Sequence, residues 1–319
     1  MSQIVNDRPP VTYHKKTFFQ RLALDFRQNK MVYLMWLPVL AFYLIFHYAP
    51  MGGLVIAFQN YKPFKGIAKS KFVGLEHFQE FLTGTYAWRT IRNTLVISLL
   101  QILIGFPMPI IFALLINEVR CNPYKRVVQT VSYMPHFISL VVMCGMIVLF
   151  LSPSSGVIPK LLGYIGVQTG DLMGKASAFS SIYVWTEAWQ HVGWDSIMYI
   201  AALSAVDPQL YEAAVVDGAN KWQKMRSIDI PLLMPTAVVL FILRAGSVMS
   251  VGFEKVYLLQ NDLNISASEI ISTYVYKMGL KSNQYSYSAA IGLFNNVVNF
   301  ILLLSVNFIA GKMGDTSLF

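Results

Sequence analysis

SAVDPQLYEAAVVDGANKWQKMRSIDIPLLMP occupies residues 204–235, between two long apolar runs. Asp207 can cap a helix that starts at Pro208, where a missing N–H costs nothing. Leu210, Ala213, Ala214 and Asp217 then share one helical face, at i, i+3, i+4 and i+7. Gly218 takes positive φ at little cost and ends that helix. Asn220 with Gln223 three residues on predicts a capping box opening a second short helix. Pro231 disfavours helix at the residue before it and is expected to separate this segment from the next apolar run. The reading is helix, tight turn, short helix. Ala213 and Ala214 let another surface approach the backbone, while Glu212 and Asp217 place charge at the rim. On helix chemistry alone, the pattern also suits an amphipathic loop lying on lipid head groups.

The flanking runs identify the solvent. Of 319 residues, 55% are hydrophobic and 13% charged, where a soluble domain carries about 25% charged. Mean hydropathy is +0.51. A membrane helix needs about 20 apolar residues to cross about 30 Å of hydrocarbon. Six segments qualify, approximately 31–56, 93–117, 127–151, 179–204, 233–252 and 286–310. The expected fold class is an all-α polytopic membrane protein with six transmembrane helices, since helices satisfy every backbone group within lipid. It divides into a tail over 1–30, a membrane domain over 31–310 that includes the loop 205–231, and a tail over 311–319. The polar, basic N-terminus lacks the pattern of a cleavable signal, so the first apolar run is expected to remain as a span. Pro38, Pro50, Pro107, Pro109 and Pro135 predict kinks and not breaks. Within 59–90, Gly74, Leu75, Phe78, Phe81 and Leu82 predict a helix along the membrane face. Residues 152–178, rich in Ser, Gly and Pro, read as irregular.

The formal charge is +9, but the basic residues are neither gathered on one helix nor interleaved with aromatics, so the expected contact is anionic lipid and not nucleic acid. Cys121 and Cys144 are far apart without a CxxC, which predicts no metal site and two inert helix residues. With six spans both termini share a side. That side would carry thirteen Lys and Arg against eleven opposite, a weak bias toward termini inside.

Glu212, Ala213 and Ala214, Gly218 four residues later, then Ile228 and Pro231 resemble the signature of permeases that work with a binding protein. Ile230 stands where that signature has Leu, a conservative departure. Pro50–Gly66, Phe72–Phe78, Asn93-Thr94-Leu95 and Gly252–Asn261 are similar to the carbohydrate branch of such ABC importer permeases, the MalF/LplB-like family, including permeases for alginate and rhamnogalacturonan fragments. The resemblance covers most of the chain from about residue 30. It implies a type I ABC importer permease in a bacterial plasma membrane, with cytoplasmic termini and a cytoplasmic coupling loop. It also implies a second homologous permease, two ATPase subunits and an extracellular sugar-binding protein as partners. The ATPase-coupling residues would be Glu212, Ala213, Ala214, Asp217, Gly218, Ala219, Ile228 and Pro231. No GxxxxGK[ST] is present, so ATP and Mg would be held by partner subunits and no cofactor by this chain. A non-sugar cargo such as glycerol phosphate, or an autonomous channel or secondary transporter, are the alternative functions.

Ionisable residues inside a span mark candidate paths. Glu187, Gln190, His191 and Trp194 share a face of the fourth span, with Asp195 one turn past His191. They suit sugar hydroxyls and rings, or form an intrahelical pair with a packing Trp. Arg244 in the fifth span lines the path for a carboxylate-bearing sugar or neutralises Glu187. Ser288, Gly292, Asn295 and Asn299 in the sixth, with Asn296 alongside, line the path or bind helices together. His136 reads as a satisfied core histidine. His191, Asp195 and Ser196 do not make a catalytic set, because Ser196 points elsewhere on the helix.

Overall fold

The computed structural model describes residues 25–26, 28–167 and 169–313. The predicted tails up to residue 24 and from residue 314 lie outside the described residues. The chain divides into two units, Met1–Val55 and Ile56–Phe319. The first is dominated by helix α1 (Lys30–Phe58), which runs just past the boundary, and no residue of its apolar window is buried. Pro38 lies inside α1, and a π-turn over Leu44–Tyr48 precedes Pro50.

The second unit opens with β1 (Gln59–Asn60) and β2 (Lys71–Phe72), an antiparallel pair with Gln59 opposite Phe72. Helix α2 spans Glu76–Thr83 and buries Phe81 to 1% exposure. Phe81 packs on Phe294 with ring centroids 5.8 Å apart, so α2 leans on the last helix. Gly74, at φ +63°, turns the chain ahead of α2 and is not part of it.

Helix α3 (Thr85–Asn117) has 33 residues, roughly 50 Å at 1.5 Å per residue. It begins eight residues before the expected start at 93, because polar contacts to the segment around Glu269 hold its first turns. Arg89 donates to Glu269, and Asn93 Nδ2 donates to the Ser266 and Glu269 carbonyls at 3.0 Å. Helices α4 (Asn122–Phe137) and α5 (Leu140–Phe150) meet at 99°. Here the expectation of a kink at Pro135 is overturned. Met134–Phe137 tightens to a 3₁₀ turn, Ile138 and Ser139 are extended, and Ser139 recaps α5 by accepting from Val142 N–H at 3.4 Å. Cys121 precedes α4 and is exposed, not a helix residue, while Cys144 is buried in α5.

The stretch expected to be irregular contains helix α6 (Val157–Tyr164). Then come α7 (Ala176–Ser204), α8 (Pro208–Val216) and α9 (Lys221–Ala245). Pro231 does not separate the 205–231 loop from the fifth apolar run, contrary to expectation. A π-turn over Met225–Asp229 carries α9 through it without a break. A proline deletes one N–H and crowds the carbonyl four residues back. A π-turn just upstream re-registers the hydrogen-bond ladder at that point. The same device, over Gln101–Gly105, precedes Pro107 in α3.

The chain then folds through short helices α10 (Phe253–Leu259), α11 (Ile265–Ser268) and α12 (Ile271–Tyr276) before α13 (Tyr285–Lys312). Among the described residues four helices are long and apolar enough to span, α1, α3, α9 and α13, or five with the α4–α5 pair. Helix α7 has 29 residues but is too polar to qualify by composition. It is central instead. Tyr183 and Val184 join a core with Ile97, Met143 and Val256, while Tyr199 and Leu203 join another with Leu114 and Leu233. Between these cores Gly193 brings α7 against α4, where a Cβ would lie 2.1 Å from the Ser132 carbonyl oxygen. Close backbone approach of this kind drives helix association where lipid removes the hydrophobic incentive.

Candidate functional site

Helix α8 is built as its punctuation predicts. Asp207 accepts from Gln209 N–H at 2.9 Å with Pro208 in the first turn. At the other end Gly218, at φ +77°, donates its N–H to the Val215 carbonyl at 3.1 Å, and Ala219 donates to the Ala214 carbonyl at 2.9 Å. These two bonds form a Schellman closure. Asn220 and Gln223 then exchange side-chain and backbone bonds at 2.7 and 2.9 Å, the expected capping box. Glu212, Ala213, Asp217 and Gly218 are exposed, Ala214 and Ala219 half-buried. Ile228 falls in the π-turn of α9 and Pro231 on its exposed side. Leu210, Val215 and Val216 are 47%, 62% and 87% exposed. A capped helix that leaves its apolar side chains uncovered marks a surface for contact with another protein or with lipid.

The second set of candidates faces three cavities beside α7, the two smaller ones polar and the third lined mainly by apolar side chains. A cavity of about 120 Å³ is lined by Gln101, Glu187, His191, Asp195 and Arg244. One of about 220 Å³ shares Gln101, Glu187 and Arg244 and adds Tyr183, Ser98 and Ser247. A third, of about 330 Å³, opens past Trp194, Asp195, Tyr199 and Arg244. Glu187, His191 and Asp195 repeat every four residues, so one stripe of α7 serves them all.

The charges pair differently from the sequence expectation. Arg244 does not neutralise Glu187. It lies 3.8 Å from Asp195, and its Nη2 would sit 3.0 Å from a Cβ at Gly105. The partner of Glu187 is Lys255 of α10, at 2.7 Å and 2% exposed. Lys255 also lies over the Tyr183 ring at 5.0 Å. His191 Nδ1 approaches the other carboxylate oxygen of Glu187 at 3.4 Å, the anticipated intrahelical pair. Lys255 is therefore committed, while Arg244 is loosely held and faces all three cavities.

The remaining candidates take other roles. Gln190 turns from the cavities, and its Nε2 donates to the Ile138 carbonyl at 3.3 Å, at the break between α4 and α5. Asn299 accepts from Met249 N–H at 2.8 Å and donates to Ser250 Oγ at 2.9 Å, holding α13 to the turn after α9. Asn295 lines none of these cavities, and its Oδ1 is buried without a partner. His136 is not the satisfied core histidine expected. It stacks on Trp194 at 4.3 Å, and its Nδ1 has no partner. Sequence reasoning missed Lys255 because its pairing spans 68 residues. The only signal lay in its place within Gly252–Asn261.

The chain also has known relatives. The family model for binding-protein-dependent transport system inner membrane components matches residues 105–315. The chain is 42% identical over 293 residues to protein LplB of Bacillus subtilis (strain 168), covering 92% of each. It is 42% identical over 305 residues to the polygalacturonan/rhamnogalacturonan transport system permease protein YteP of the same strain, covering 96% of this chain and 95% of that protein. A chain in the crystal structure of a bacterial ABC transporter that imports the acidic polysaccharide alginate superposes with a TM-score of 0.85. It is 40% identical, over 92% of this chain and 99% of the other. A second crystal structure, of the alginate transporter in complex with an alginate pentasaccharide-bound periplasmic protein, matches with a TM-score of 0.86 at 39% identity, over 93% of this chain and 100% of the other.

Proposed function

The chain belongs to the binding-protein-dependent transport system inner membrane components, and from that premise we propose that it forms half of the transmembrane path of an ATP-driven oligosaccharide importer. The observation that carries this reading is α8, capped at both ends and exposed along the face that bears Glu212 and Ala213. In this account α8 docks on an ATPase subunit that holds ATP and Mg. A second, homologous permease completes the path, and an extracellular sugar-binding protein delivers cargo. The spans are α1, α3, the α4–α5 pair, α7, α9 and α13. Counting α7 as the fourth is supported by its length and by the ion pairs that offset its charges. Six spans put both termini on the cytoplasmic side with α8.

Proteoliposome uptake tests the function. Labelled oligosaccharide should enter only with the partner permease, ATPase and internal ATP, and with binding protein outside. Uptake by the purified chain alone would establish a channel or secondary transporter instead. Arg244 favours one cargo chemistry within this reading, acidic saccharides. A guanidinium offers a planar fork to a carboxylate, and Asp195 at 3.8 Å leaves that fork largely free. Arg244→Gln should depress uptake of uronate oligosaccharides at least tenfold more than that of neutral ones, about 1.4 kcal/mol of discrimination. Equal effects on both would remove the acidic preference.

A further inference from the structure

Tyr211 is the polar side chain of α8 that turns inward, on the side shared with Ala214. Leu210 and Glu212 on either side of it are exposed, whereas Tyr211 is half-buried. Its hydroxyl donates to Asp229 Oδ1 at 2.5 Å. Asp229 is fully buried, at 0% exposure, in the π-turn of α9, and its Oδ2 is buried without a hydrogen-bond partner. Asn117, at the end of α3, lies beside both Tyr211 and Asp229. Beside it Glu118 pairs with Lys221 at 3.5 Å. Three elements, α3, α8 and α9, therefore meet around one buried carboxylate, that of Asp229.

What lies at the far end of α9 gives the node its meaning. Helix α9 is continuous from Lys221 to Ala245, and Arg244 in its last turn faces the polar cavities and Asp195 of α7. One helix carries Asp229 in its third turn and Arg244 in its last. The covalent link from α8 to α9 runs through the Gly218 turn, where a Cβ would meet no atom within 4 Å. An open glycine turn transmits little force by itself. A short hydrogen bond to a buried carboxylate does, because separating the helices would strip that carboxylate of its donor away from water.

We propose that the Tyr211–Asp229 hydrogen bond is a latch that passes displacement of α8 into α9, and through α9 to the cavity at Arg244. Tyr211 is thus a positioning residue for transport. Burial, and next the bond to Asp229, raise its phenol to about 12, so it keeps the donated proton throughout the physiological pH range. The inference rests on the reading of α8 as the ATPase-docking helix.

The test uses the complete complex in proteoliposomes, with the partner permease, ATPase and binding protein. Sugar transported per ATP hydrolysed is measured alongside ATPase co-purification and Tm. Tyr211→Phe removes one oxygen and keeps the ring in its slot. It should retain the ATPase and hydrolyse ATP while transport per ATP falls about tenfold, within the usual range of coupling between sites. Asp229→Ala should lose as much, the double variant no more than either, and Asp229→Asn, which keeps an acceptor oxygen, should retain most of the coupling. A merely structural bond would lower Tm and leave transport per ATP unchanged. That unchanged ratio in Tyr211→Phe, or additive losses in the double variant, would overturn the latch. Gly218→Val and Glu212→Lys separate the two claims. If they uncouple and Tyr211→Phe does not, only the latch fails; if they also couple normally, the docking reading fails with it.

Discussion

Lys255 carries a consequence out of proportion to its size. It is 2% exposed, its ammonium meets Glu187 at 2.7 Å and lies over the Tyr183 ring. A buried pair of this kind contributes little net stability while intact, because desolvation offsets attraction, but halving it leaves a charge without its partner. Lys255→Met should therefore cost about 3–5 kcal/mol, read as early unfolding of the purified protein in detergent. Lys255→Met with Glu187→Leu should recover most of that loss. A single variant as stable as the parent would show that the pair is not structural. Gly218 makes the opposite case. Its surroundings are empty but its φ is +77°, so Gly218→Val is strained by backbone alone, at roughly 1–2 kcal/mol, with no packing lost.

At the scale of elements, the close fit of α7 on α4 is the most exposed to small changes. A Cβ at Gly193 would lie 2.1 Å from a backbone oxygen that has no flexible chain to move aside. Gly193→Ala should lower stability by about 1–3 kcal/mol, as overpacking does. Gly292→Ala, with no atom within 4 Å, should leave Tm unchanged and serves as its control. Equal Tm values in the two variants would contradict the contact. The elements also show what a sequence discloses. The α8 caps, the Gly218 turn and the Asn220–Gln223 box were legible because their partners lie two to five residues apart. Proline was ambiguous by comparison. The same residue type sits inside an unbroken helix at Pro231 and at a 99° bend after Pro135. The difference is a π-turn in one case and a 3₁₀ turn with two extended residues in the other. Neither is written in local propensity.

At the scale of the molecule, its membrane character and the exposed loop were legible, and the wiring between loop and cavity was not. Composition and signature spacing depend on one stretch at a time. The pairings Glu187–Lys255, Asp195–Arg244 and Tyr211–Asp229 join residues 68, 49 and 18 apart, and nothing local to Arg244 tells Asp195 from Glu187 as its carboxylate. In the proposed picture, α8 would meet an ATPase, α9 would link α8 to the cavity, and the stripe on α7 would face the sugar. The most direct measurement is ATP hydrolysis by the reconstituted complex with cargo-loaded binding protein, beside sugar uptake in the same vesicles. Loaded binding protein should stimulate hydrolysis, and both Gly218→Val and Glu212→Lys should break its link to uptake. Stimulated hydrolysis with full uptake in both variants would contradict the claim that α8 is where ATP and transport meet.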